Sequence, residues 1–188
     1  MASPRSVTEA LAMLRSAMGY LAAADATAMA AATQAQCLRA LEQLHAIETA
    51  ARASLLGALA SGQSQAAASG FSPRAWLIRE TGITAGAATG HAAWVRRAAA
   101  HPQVTQALAE GHLLSEPVAR TICSWTDKLP GDCRLAADAI LIVAVKTGAN
   151  LDDLAEVFGG IYTLSRPRPR LAPVPKTPAA TAISAIAI

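Results

Sequence analysis

Four histidines (His45, His91, His101, His112), three cysteines (Cys37, Cys123, Cys133) and the pair Asp152-Asp153 are the residues here whose types suit metal binding, nucleophilic attack or proton transfer. Their spacing supports none of these. No two histidines stand four apart, the separation that puts both imidazoles on one side of a helix around zinc, and there is no C-x-x-C pair. An odd cysteine count argues against a disulfide framework, so the thiols read as small buried hydrophobes and the histidines as surface or partly buried side chains. Asp152-Asp153 follows Asn150 and fits a helix start, where carboxylates meet the positive end of the dipole. There is no G-x-S-x-G and no glycine-rich loop ending in Lys-Ser or Lys-Thr. The sequence therefore predicts no catalytic residue, no metal ligand and no cofactor site.

What remains is basic chemistry. Arg74, Arg79, Arg96 and Arg97 lie in the segment 72–100, and Arg166, Arg168 and Arg170 in an RPRPR run. The segment 72–100 has the order helix, glycine turn, helix. A second helix laid in a DNA groove would bring Arg96 and Arg97 to phosphates. Its opening, TAGAATGHAAW, has hardly a side chain that reads a base edge. These seven arginines are the candidate nucleic-acid contacts, with a purely structural hairpin as the alternative. The formal charge of +3 is unevenly spread: residues 166–188 hold four bases and no acid, which leaves the body at −1. Only the tail carries the basic signal.

The elements that would position these residues are helices. Hydrophobic residues make up 53% of the chain and aromatics only 4%, so the apolar content is chiefly alanine, the residue that loses least on entering a helix. Ser6 and Glu9 have capping-box spacing, which predicts a helix over 7–24. In the next helix, 27–60, the residues Leu38, Leu41, Leu44, Ile47, Ala51, Leu55 and Leu59 recur three or four apart. Gly62 should stop it, with 61–69 a polar loop.

Ser72-Pro73 predicts an N-cap and first helical position, and the helix should run to Thr81 and end at Gly82. Thr84 should cap the next helix, to about residue 100. The pattern recurs with a helix over 102–110 ending at Gly111, and another opened by Ser115 that stops at Leu129-Pro130. In these two hairpins Ile83-Thr84 and Ala88 align with Leu114-Ser115 and Ala119. The segment 132–147 contains the strongest apolar run, Ala139 to Val145, and is expected at the centre. It is far short of the ~20 residues that span a bilayer. Asn150 should cap a final helix to Ser165, after which repeated proline forbids helix. Trp76, Trp94 and Trp125 fall on apolar faces as core anchors.

The expectation is an all-α domain of about seven helices over 1–165, with a long amphipathic helix and two helical hairpins, followed by an extended proline-rich tail over 166–188. No membrane partner and a cytoplasmic location are expected. DNA is one candidate partner; the other is a protein, or a second copy, held by leucines left exposed on the 27–60 helix.

The order LRALEQLHAIETAARASLLGALA, then FSPRAWLIRETGITAGAATGHAAWVRRAAAHPQVTQALAEGHLLSEPVARTICSWTDKLP, then DDLAEV and SRP, resembles the helical domain of unknown function 222 over about 35–168. That domain sits at the N-terminus of bacterial proteins ending in an HNH endonuclease motif. The resemblance implies an accessory module that positions a nuclease on DNA or a partner. No histidine follows His112, so nuclease activity does not carry over and a stand-alone or truncated copy is implied.

Overall fold

The computed structural model describes residues 4–66 and 72–165, with side chains at 4–62 and 72–165. The described residues form α1 (Val7–Ala23), a 3-10 turn (Ala26–Ala28), α2 (Ala31–Ala66), α3 (Pro73–Thr81), α4 (Ala85–Ala100), α5 (Pro102–Glu110), α6 (Glu116–Thr126), α7 (Gly131–Lys146) and α8 (Leu151–Ser165). No strand occurs among them. The described residues are all-α with eight helices where about seven were expected, and most of the proline and capping signals begin a separate rod. At His101-Pro102, for example, α4 gives way to α5.

All but one of the predicted caps are formed. Ser6 Oγ accepts from the Glu9 amide at 3.1 Å while Glu9 Oε2 accepts from the Arg5 amide at 2.7 Å. Ser72 and Thr84 cap α3 and α4 through their hydroxyls, and Asn150 Oδ1 accepts from the amides of Asp152 and Asp153. Ser115 is in place but makes no side-chain cap bond. Gly82 and Gly111 end α3 and α5 at φ 66° and 73°. At Gly111 a second constraint applies: a Cβ would stand 2.6 Å from Ile47 Cδ1, so glycine also permits the close approach of α2.

Two expectations about α2 are corrected. The helix begins at Ala31, because Asp25 caps the 3-10 turn by accepting from the Thr27 amide and hydroxyl. It also runs through Gly62 to Ala66 instead of stopping, since one glycine among alanine, serine and glutamine costs a helix only about 1 kcal/mol.

The core is built on small side chains. α2 packs most extensively on α4 and α5, and it does so with Ala46, Thr49, Ala50 and Ala53. One cluster gathers these alanines with Trp94, Val104, Leu108, Ile122, Leu141 and Leu154; a smaller one joins Leu56, Leu77 and Ala88. The hairpins α3–α4 and α5–α6 are both formed, and their equivalent alanines, Ala88 and Ala119, are both fully buried.

Burial decides one matter the sequence left open and corrects another. The leucine stripe of α2 does not face the core: Leu38, Leu44, Ile47 and Leu55 are exposed. In α7 the apolar run is divided, with Leu141 and Ile142 buried and Ile140 and Val143 exposed, since α5, α6 and α8 cover only part of its circumference.

Candidate functional site

The leucine stripe of α2 forms the floor of a groove of about 850 Å³ between α1, α2 and α3. Leu41, Leu44, Ile47, Ala51, Leu55 and Leu59 line it from α2. Leu11, Leu14 and Met18 face it from α1; Trp76, Leu77 and Ile83 close the third side. This geometry follows from the division of labour on α2. Its alanine face allows the closest approach to α4 and α5, which leaves the bulkier leucines on the opposite side, where only α1 and α3 stand.

A polar strip edges the groove. His45 Nδ1 lies 3.5 Å from Glu48 Oε2, Glu48 pairs with Arg52, and Arg52 donates to the His91 ring of α4. Burial, aided by the positive charge of Arg52, holds His91 below the ordinary imidazole range and so leaves it a neutral acceptor. Deeper in, Glu116 Oε1 accepts from Trp94 Nε1 at 2.8 Å and from Arg120 Nε at 3.0 Å. Burial opposes ionisation of Glu116, but these two donors outweigh it and hold the carboxyl below its usual range.

A more deeply buried set of titratable groups lies where α4 passes into α5. His101 Nδ1 donates to Asp138 Oδ2 at 2.9 Å and Nε2 to Asp127 Oδ1 at 3.2 Å, while the Thr126 hydroxyl donates to Asp138 Oδ1 at 2.7 Å. Both ring nitrogens face carboxylates, an arrangement satisfied by the imidazolium. Burial disfavours that charge, yet the hydrogen bond and field of Asp138, then those of Asp127, prevail and raise His101 above the usual histidine range. The neighbouring Cys123 thiol is pushed up to about 12, first by burial and then by Asp138, and stays protonated.

A hydroxyl, an imidazole and a carboxylate are thus together, but not in a nucleophile–base order. Thr126 bonds to the carboxylate at 2.7 Å, its contact with His101 Nδ1 is longer at 3.4 Å, and Thr126, His101 and Asp138 are each 0% exposed. No substrate atom can reach them without unfolding the site. The expectation of a surface or partly buried histidine is corrected at His101; His112 is exposed, His45 lines the groove, and His91 is half-buried beside Arg52. No group of three or more His, Cys, Asp or Glu suited to a metal ion occurs among the described residues. Of the cysteines, Cys123 is buried, whereas Cys37 and Cys133 are half-buried, and all three are free thiols.

The candidate nucleic-acid contacts are scattered in role. Arg74 Nε donates to Thr89 on α4, Arg79 pairs with Glu80, and the Arg97 guanidinium lies 5.4 Å over the Trp94 ring. Arg96 is exposed. Arg166, Arg168 and Arg170, with the rest of the tail, lie outside the described residues. Trp94 is a core anchor, and Trp125 stacks on Phe158 with centroids 5.4 Å apart.

The sequence contained a signal for the groove that the stripe on α2 alone does not give: Leu11, Leu14 and Met18 stand three and four apart on α1. The pairing of His101 with Asp138, 37 residues away, had none. No protein-family model, curated protein or solved structure significantly matches the chain. No helix among the described residues is long and apolar enough to cross a membrane.

Proposed function

We propose that this chain is a non-catalytic helical interaction module whose working surface is the groove between α1, α2 and α3, and that the groove receives an amphipathic helix with apolar residues at heptad spacing. The observation that carries this is the orientation of α2. Its regular leucine stripe lines the groove with Leu44, Ile47 and Leu55 exposed, while alanine supplies the core contact. Exposed apolar surface of this extent, rimmed by charge, marks a binding site, and a helix laid in a groove reads anchors three and four apart. Arg52, Glu48 and His45 form the polar rim.

Nucleic-acid positioning by the α3–α4 hairpin draws less support. Arg74, Arg79 and Arg97 already engage groups of the protein, and the first turn of α4 presents alanine and glycine. If the likeness to the domain of unknown function 222 reflects kinship, an interaction module of this kind would hold a partner protein beside its neighbouring domain.

A labelled peptide of residues 4–24, added in large excess to dilute full-length chain, tests the reading by fluorescence anisotropy. Saturable binding is expected, weakened at least tenfold by Leu55→Glu. Binding that is absent, or indifferent to that substitution, would remove the groove as a docking surface.

A further inference from the structure

We infer that the occupant of the groove is α1 of a second copy of this chain, so that two protomers bury their first helices reciprocally. The inference rests on the groove reading above and supplies its partner. On α1, Val7, Leu11, Leu14, Met18 and Leu21 are spaced four, three, four and three apart, the seam of a left-handed helix pair. All five are between 37% and 78% exposed, and no residue of α1 is buried. Most helical stability in proteins comes from packing of an apolar face, and this 17-residue helix has no buried residue to supply it. Its seam needs a surface.

In the protomer itself α1 stands as one wall of the groove, and the turn that leads from it to α2 is held by Asp25 as its cap and by Gln34 Nε2, which donates to the Ala26 carbonyl at 2.7 Å. The open space lies between the α1 seam and the α2 stripe, so α1 cannot be both wall and filling. A second α1 fits in length and in chemistry. At ~1.5 Å per residue the seam from Val7 to Leu21 extends ~21 Å, and the α2 floor from Leu41 to Leu59 ~27 Å. Beside the seam stand Ala10, Ala17 and Ala22, which allow close approach, and one charge, Arg15, opposite in sign to Glu48 on the rim.

Seam and groove belong to the same protomer. A two-fold arrangement therefore satisfies both copies at once and closes, whereas a head-to-tail arrangement would leave one seam and one groove bare at its ends. The result brings α1 and α2 of each protomer together as four helices around a shared apolar centre.

Light scattering on the full-length chain over a wide concentration range should show the mass rising from 19.2 kDa towards twice that value. Leu11→Glu with Leu14→Glu should weaken association at least tenfold, and Leu55→Glu on the opposite wall should do the same, each with a cooperative melt retained. Chains carrying Leu14→Cys, mixed with distinguishable chains carrying Leu44→Cys, should form a disulfide between the two. A strict monomer at every concentration, or association indifferent to both walls, overturns the second copy as occupant. If the 4–24 peptide still binds such a monomer, the groove reading stands without it; if the peptide also fails, both fall.

Discussion

His101 is the residue at which burial and charge most directly oppose each other. An imidazolium enclosed by protein is costly, and it persists here because Asp138 and Asp127 take both of its donors while Thr126 satisfies the second oxygen of Asp138. Its folded pKa lies above the ordinary value of 6.5, so its contribution to stability is fully present below about 6.5 and declines as pH rises through the folded value. Cys123 and Arg134 border the cluster, but burial pushes the Cys123 thiol up to about 12, outside that window. Urea unfolding from pH 5.5 upward should show this decline in the native protein and its loss in His101→Gln, which should be the less stable of the two below 6.5. A pH profile shared by both proteins would refute the assignment. None of this could be read from sequence: His101 and Asp138 stand 37 residues apart with no periodic relation, and packing of α7 against the α4–α5 junction alone makes them neighbours.

Among the elements, α2 departs furthest from its sequence expectation. Periodicity located a long helix and its leucine stripe correctly, but it could not say which side would meet the core, since alanine fills the other side and is itself apolar. Close approach decided the matter. Ala46, Ala50 and Ala53 admit α4 and α5 nearer than leucine would, and Gly111 gives way to Ile47 where α5 ends. The missed boundary at Gly62 has a simpler origin, because a glycine in a favourable helical context weakens a helix without ending it. Nothing lies within 4 Å of a Cβ placed at Gly62, so Gly62→Ala should stabilise the chain by about 0.5–1 kcal/mol in thermal unfolding. A destabilising outcome would mean that α2 is broken there in solution.

At the scale of the whole molecule, burial separates a dense centre from an apolar flank. Ile122, in the centre at 0% exposure, should cost about 2–5 kcal/mol when changed to alanine. Leu55, on the flank at 72% exposure, should cost the isolated protomer no more than about 0.5 kcal/mol. Denaturant melts at low protein concentration measure both, and equal losses would place the α2 stripe in the core after all. The sequence by itself determined that the chain is helical, where most helices start and stop, and that two hairpins repeat, because capping, glycine and proline act within a few residues of where they stand. Only the tertiary structure decided that alanine faces inward and leucine outward on α2, that His101 lies enclosed by two aspartates, and that the arginines of α3 and α4 are mostly engaged. Each depends on which surfaces meet across the fold, and helical periodicity constrains the faces of one rod without naming the neighbour it will have.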